Sequence, residues 1–497
     1  MNMQLDVDDS TVRHVVEDVL KRLGHTHRGS AGSIPEVVTT TKHSVTGNAR
    51  STSKRKFGVF EDANDACEAA HSAYYQLRDQ GVAARMKVVD IVKSLCDKNA
   101  NSWGKMELDE TKIGRLDHKI EKLQIVKLTP GVEWLKPDAM SGDHGIMLEE
   151  YAPFGVVGGV TPITHSIPTL SSNVVSIVSA GNAVVFNPHP GGAHCANVAV
   201  RVFNEAIYRE LGIENLICSV EVPTLKSFDV ISHSELAGLL VVTGGPGVVS
   251  AAMKSGKRSI SAGPGNPPVL IDETADLDKA ARDIIFGAAY DNNLLCIGEK
   301  ELFVVDAVNR QFLKAFESAG AFKLTQNQLD QLERAVFTYE DDGGGCSHPV
   351  LNREMVGKNA VDLATIAGTK TPAGTELIFA ETDASHAFVI EEQMTPMIPV
   401  VKVRDVEQGV IDAKSAEHGY KHSSIIHSRH IDNMTVMARE LDCTLFVKNG
   451  PSTSGLGLGG EGYLTYSIAT TTGEGITNPE TFTRKRRCVM IDNLRIY

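Results

Sequence analysis

The chain has no basic surplus: 62 Asp and Glu outnumber 49 Lys and Arg, for a formal net charge of -13. A dedicated nucleic-acid binder needs a locally basic face to displace counterions, so this balance argues against that class. No apolar run approaches the ~20 residues that a membrane-spanning helix needs. The opening Met1-Asn2-Met3-Gln4-Leu5-Asp6 has neither the basic start nor the apolar core of a secretory signal. Paired cysteine spacing is missing too: Cys67, Cys96, Cys195, Cys218, Cys296, Cys346, Cys443 and Cys488 are scattered. That pattern points to free thiols in a reducing cytoplasm rather than to a disulfide scaffold. His189, His194 and Cys195, or Cys346 with His348, fall short of a zinc ligand set, and no metal is expected. What the chain does have is size. Its 497 residues, 42% of them hydrophobic, exceed one simple core and imply two or three domains.

The first 56 residues stand apart. Asp8, Asp9 and Ser10 supply capping oxygens and negative charge at a helix N-terminus. Val12, Val15, Val16, Val19, Leu20 and Leu23 then recur at helical spacing, with Arg13/Glu17, Glu17/Lys21 and Asp18/Arg22 paired on the polar side. Gly24 stops this amphipathic segment, and residues 25–56 turn to Ser, Thr, Gly and His, a flexible linker. A short tethered helix cannot bury its own stripe. Residues 5–23 therefore need a partner, or pack back on their own enzyme.

From Phe57 the pattern predicts helices over 62–78 and 83–99. Strands follow at 155–160, 183–186, 216–222 and 239–242, with helices at 168–180, 193–211 and 247–256 between and after them. Such alternation implies an α/β fold with parallel strands and crossover helices. The expected division is a doubly wound cofactor domain over 57–268, a second α/β catalytic domain over 269–447, and a return of 448–497 to the first. Ile146-Met147-Leu148-Glu149-Glu150-Tyr151 reads as the end of an extended arm strand over about 138–150, and Arg487-Cys488-Val489-Met490-Ile491 as another. The basic run Arg484-Lys485-Arg486-Arg487 reads as a solvated or interface feature.

One cysteine has an unusual setting. Asp291-Asn292-Asn293-Leu294-Leu295-Cys296-Ile297-Gly298-Glu299 is a polar-to-apolar loop ahead of a buried strand containing Val304-Val305. A thiol there is either a small core side chain or a nucleophile. Two glycine-rich pieces differ in context. Gly455-Leu456-Gly457-Leu458-Gly459-Gly460 matches G-x-G-x-x-G but opens onto the strand-like Tyr463-Leu464-Thr465-Tyr466, so it is a false dinucleotide fingerprint. Thr243-Gly244-Gly245-Pro246-Gly247 has a strand before it and a helix after it, which lets a cofactor phosphate approach backbone N–H groups.

Taken with Val160-Thr161-Pro162-Ile163-Thr164, Asn182-Ala183-Val184-Val185-Phe186-Asn187-Pro188, Ala262-Gly263-Pro264-Gly265-Asn266-Pro267-Pro268 and Glu391-Glu392-Gln393-Met394-Thr395-Pro396, these motifs resemble the aldehyde dehydrogenase superfamily over nearly the whole chain. The resemblance is to its CoA-acylating branch, the propionaldehyde and acetaldehyde dehydrogenases of bacterial microcompartments. It implies an aldehyde dehydrogenase-like fold with a β oligomerisation arm, and Cys296 as the nucleophile. Thr164 stands where hydrolytic members carry an oxyanion-binding Asn, and Asn187 replaces a ribose-binding Lys. Ala262 replaces the Glu that activates water, so coenzyme A is the implied acyl acceptor. The resemblance assigns NAD to Thr161, Pro162, Asn187, Pro188, Thr243, Gly244, Gly265 and Glu392. In Glu417-His418-Gly419-Tyr420-Lys421-His422-Ser423, His422 is the implied base for the CoA thiol, in preference to His418.

The function so implied is oxidation of a short-chain aldehyde (propionaldehyde, acetaldehyde or lactaldehyde) to acyl-CoA inside a microcompartment. Ping-pong kinetics through a Cys296 thioester follow from that chemistry. The terminal helix would dock on a shell protein, and the enzyme would be a homodimer or homotetramer. Two alternatives stay open: a hydrolytic dehydrogenase releasing free acid, and a non-catalytic shell-associated binding protein.

Overall fold

Short Val-, Ile- and Leu-rich runs, buried on both faces, become parallel strands once helices cover each side. The computed structural model describes residues 56–341 and 347–492, and in it these runs build two large sheets. Residues 1–55, with the expected amphipathic helix and nearly all of the linker, lie outside the described residues, as does Cys346.

The first sheet holds β1 (Val59–Phe60), β2 (Val156–Val160), β3 (Ala183–Phe186), β4 (Ile217–Val220), β5 (Ala237–Thr243) and β6 (Ser259–Ala262). All are parallel, in the order β1-β4-β3-β2-β5-β6. The chain winds from β2 to one side, then crosses back to β5 on the other. That reversal makes a switch-point crevice between β2 and β5 at their carboxyl ends.

The second sheet holds β7 (Pro268–Ile271), β8 (Glu301–Val305), β9 (Phe322–Lys323), β10 (Ile378–Thr382), β11 (Met397–Val403), β12 (Ser423–His427) and β13 (Leu445–Lys448). They too are parallel, in the order β9-β10-β11-β8-β7-β12-β13. Each sheet has its own hydrophobic core, and the segment Tyr290, Leu295 and Ile297 packs into the first core although it leads into the second sheet. Gly263 to Pro267 alone joins β6 to β7. Five residues span at most ~18 Å, which keeps the carboxyl end of β6 near the amino end of β7, and the loop around Cys296 packs on the first core.

Three local readings are corrected. The two helices expected over 62–78 and 83–99 are present within Ala63–Thr111, divided at Gly81, whose non-helical φ of 74° and ψ of -161° break the backbone between them; the second runs on to Thr111, past the expected end at 99. The apolar positions Ala66, Ala70, Ala73 and Leu77 before the break, and Val88, Val92 and Cys96 after it, are all buried in the first core. Tyr463–Tyr466 forms no strand; Tyr466 instead turns inward and its hydroxyl donates to the Lys122 carbonyl at 2.9 Å. The arm strands run longer than expected, over Gly145–Pro153 and Thr483–Ile491, and with Asp138–Gly142 form a three-stranded antiparallel sheet. In it Glu149 accepts from Lys485 at 3.0 Å and Arg487 at 2.9 Å, which occupies part of the basic run.

Candidate active site

Four of the residues singled out in the sequence lie just ahead of neighbouring strands of the second sheet. Gly265 precedes β7, Cys296 precedes β8, Glu392 precedes β11 and His422 precedes β12. Since β11, β8, β7 and β12 are adjacent, strand order alone gathers them at one amino edge. Gly265 is the hub. A Cβ there would stand 2.7 Å from His422 Cγ and 2.8 Å from the Cys296 carbonyl oxygen, so only glycine lets the imidazole and the cysteine loop approach. Its backbone also interacts with the Glu392 carboxylate.

The electrostatics of this cluster turn on one residue that sequence reasoning missed. Lys300 is fully buried and donates to the Asn293 carbonyl at 2.8 Å and to the Asn293 side-chain oxygen. Burial pushes the Cys296 thiol up to about 12, Glu392 beside it pushes the same way, and Lys300 opposes both. Burial pushes the Glu392 carboxyl up from its ordinary value, with Lys300 and the Gly265 backbone holding it back. His422 is driven down to about 4 by burial and by Lys300, so its ring is neutral at physiological pH. Its Nδ1 meets Ser423 Oγ at 2.9 Å, and its buried Nε2 has no partner among the described residues. A neutral ring with one free nitrogen has the protonation state a base requires. The sequence signal for Lys300 was its place in Glu299-Lys300-Glu301, three charges running straight into a buried strand.

Cys296 itself is only partly buried, at the end of a strained approach. Asp291, Asn292 and Asn293 all have positive φ, at 48°, 56° and 65°. Asp and Asn tolerate that region better than other side chains, yet each such residue still costs on the order of 1 kcal/mol unless its surroundings hold it. Here they do. Asn292 Nδ2 donates to the Gly357 carbonyl at 2.8 Å, and Asn293 Nδ2 to the carbonyls of Ala288 at 2.9 Å and Glu299 at 2.8 Å. Asp291 is paired with the buried Lys122.

The remaining residues sit on the facing carboxyl edge of the first sheet. Thr161 and Pro162 follow β2, Asn187 and Pro188 follow β3, and Thr243-Gly244 ends β5 and leads to the helix Pro246–Lys254. The Thr161 hydroxyl is buried and without a partner among the described residues, at the switch point itself. An orphaned hydroxyl beside a glycine turn and a helix N-terminus suits a dinucleotide. The Asn187 side chain accepts from Ser227 Oγ at 2.6 Å and donates to the Thr224 carbonyl at 3.2 Å, beside the N-terminus of the helix Leu225–His233, which Thr224 and Ser227 cap. Thr164 lies on the segment after β2, partly exposed, its carbonyl 3.3 Å from Lys119 Nζ and 3.5 Å from Lys122 Nζ. His418 is exposed and meets the Ile390 carbonyl at 2.7 Å. The G-x-G-x-x-G match follows no dinucleotide pattern; Leu458, Gly459 and Gly460 instead line a cavity of about 580 Å³ with Phe286, Tyr290 and Lys279.

A half-buried cysteine on a strained loop, faced by a dinucleotide-type sheet edge, defines a thiol-dependent dehydrogenase, and the sequence matches accordingly. The model of the aldehyde dehydrogenase family covers residues 40–334, and the chain belongs to that family. The acetylating acetaldehyde dehydrogenase EutE of Salmonella typhimurium is 42% identical, over 89% of this chain and 94% of its own. The propionaldehyde dehydrogenase of the Clostridium phytofermentans fucose utilisation bacterial microcompartment is 41% identical, with a TM-score of 0.85 over 88% of this chain and 100% of that one. A Rhodopseudomonas palustris propionaldehyde dehydrogenase, solved with bound CoA and an acylated cysteine, is 38% identical, with a TM-score of 0.85 over 89% of this chain and 100% of that one.

Proposed function

We propose that the protein oxidises a short-chain aldehyde to its acyl-CoA ester, with NAD and coenzyme A, through a thioester on Cys296. The observation that carries this is a thiol at the meeting of the two sheet edges with Ala262, not a glutamate, at the end of β6. NAD, when bound, accepts the hydride, and coenzyme A supplies the thiol that takes the acyl group. Cys296 releases its proton to solvent as its sulfur bonds the aldehyde carbon, and the Cys296 N–H with Thr164 stabilises the resulting alkoxide. Loss of hydride from that carbon leaves the thioester. Neutral His422 then takes the proton of the incoming thiol, whose sulfur displaces Cys296. Thr161, Pro162, Asn187, Pro188, Thr243 and Gly244 hold the dinucleotide, with Gly265 and Glu392 at its reactive end.

The division into a cofactor domain over 57–268 and a catalytic domain over 269–447 belongs to this proposal, as does assembly into a homodimer or homotetramer through the arm sheet. Exposed Met140, Val489, Met490 and Ile491 on that sheet support the assembly. The enzyme works in a microcompartment lumen, where residues 5–23 bind a shell protein. The test is NADH formation from propionaldehyde or acetaldehyde with and without CoA, followed by product identification. Sustained CoA-dependent turnover to acyl-CoA supports the proposal; steady release of free acid without CoA overturns it in favour of hydrolysis.

A further inference from the structure

We propose that Lys122 and Asp291 are positioning residues for the thiol chemistry, their ion pair fixing the turn ahead of Cys296 against the Thr164 segment. The inference rests on the assignment of Cys296 as nucleophile and Thr164 as its oxyanion partner.

The geometry is that of a cage around one carboxylate. The Lys122 and Asp291 side chains are 1% and 0% exposed, and they come together from positions 169 residues apart. Asp291 Oδ2 accepts from Lys122 Nζ, and Oδ1 accepts the Arg115 N–H at 2.7 Å. The Asp291 N–H donates to His118 Nδ1 at 2.8 Å. Gly114, at φ +84°, closes the cage: a Cβ there would stand 2.3 Å from Asp291 Oδ1. Asp291 is thus held on three sides, and it is the first of the three consecutive left-handed residues that lead to Cys296.

The same ammonium reaches the other half of the site. Lys122 Nζ donates to the Thr164 carbonyl at 3.5 Å, alongside Lys119 Nζ at 3.3 Å. Lys119 is paired in turn with Glu107 at 3.0 Å, and the second Glu107 oxygen accepts the Ile167 N–H at 3.0 Å. Two buried cations and two buried anions therefore balance around one carbonyl. Only the Lys122 pair touches the cysteine turn as well. The Lys119 pair, equally buried, holds the Thr164 side alone and is the natural comparator. A buried ion pair is weak evidence for stability and stronger evidence for a fixed register, which is the role assigned here.

The test compares Lys122→Met, Asp291→Asn, the double variant and Lys119→Met in the full-length enzyme. The measurements are the rate of the NADH burst without CoA, the aldehyde KM, NADH binding by fluorescence, iodoacetamide alkylation of Cys296, and Tm. Lys122→Met and Asp291→Asn should each slow the burst at least 100-fold, with KM and NADH affinity within threefold of wild type. The double variant should be no slower than the slower single one, because both break one tie. Lys119→Met should slow the burst less than tenfold for a similar loss of Tm. Should Lys122→Met not fold, Asp291→Asn, which removes a charge and almost no volume, carries the same expectations. A burst within threefold of wild type in either single variant overturns the inference. So does a Lys119→Met as slow as Lys122→Met at equal Tm, which would make both pairs merely structural. Wild-type enzyme that keeps its turnover after Cys296 is alkylated overturns the nucleophile assignment instead. An unchanged burst in Thr164→Ala overturns the oxyanion assignment on which the inference rests, whatever the ion-pair variants show.

Discussion

Alkylation of Cys296 across a pH series tests the electrostatics of the site directly. Burial and Glu392 lift its thiol from 9.0 to about 12, with Lys300 pulling the other way. Three pH units correspond to ~4 kcal/mol against the thiolate. At pH 8 the thiolate fraction is then about 1 in 10,000, against about 1 in 10 for a thiol at the ordinary value. A more basic thiolate is also the better nucleophile, and a Brønsted slope of ~0.45 returns roughly 20-fold of the 1,000-fold deficit. Iodoacetamide should therefore modify Cys296 about 50-fold more slowly than an ordinary cysteine peptide at pH 8. The logarithm of the rate should climb with unit slope from pH 7 to pH 10. Mass spectrometry of the Cys296 peptide after timed quenching measures this without interference from other thiols. Lys300→Met removes the one charge that favours the thiolate, so it should slow alkylation further, by tenfold or more. A rate plateau below pH 10, or faster alkylation in Lys300→Met, would refute the assigned roles of burial and Lys300. Such a result would mean the loop opens to solvent in the resting enzyme.

Cys296→Ala should abolish aldehyde oxidation while NADH binding, measured by fluorescence, stays within threefold of wild type. Wild-type enzyme given aldehyde and NAD without CoA should release one NADH per active site and then stall, as read in a stopped-flow trace. Gly265→Ala forces a methyl against His422 and the Cys296 carbonyl, and overpacking of that kind costs roughly 1–3 kcal/mol, so both half-reactions should slow and Tm should fall. His422→Gln should leave the NADH burst intact and slow transfer to CoA at least 100-fold; in wild type the transfer step should fail only as pH drops toward about 4, where the ring gains its proton. Fusing residues 1–24 to a fluorescent protein should direct it to shell-bounded puncta in cells making the matching shell; diffuse fluorescence contradicts the docking role.

The sequence by itself determined the kind of molecule. Val156–Val160 and Glu301–Val305 are too short for helices and too apolar for exposed strands, so parallel sheets followed from local pattern. The Thr243-Gly244 turn and the Cys296 loop could be picked out because turn chemistry is written in neighbouring residues. Even the run Asp291-Asn292-Asn293 carried a local hint, since those residue types tolerate the left-handed backbone they adopt. Only the tertiary structure decided which distant residues share a site. The strand order β11-β8-β7-β12 gathers Glu392, Cys296, Gly265 and His422 at an amino edge, whereas strand pattern alone directs attention to carboxyl ends. Lys122 reads in sequence as one more helix-surface lysine, and the fold buries it against Asp291. Periodicity reports which way a side chain faces; it does not report what it faces, because that depends on how sheets and helices from remote parts of the chain pack together.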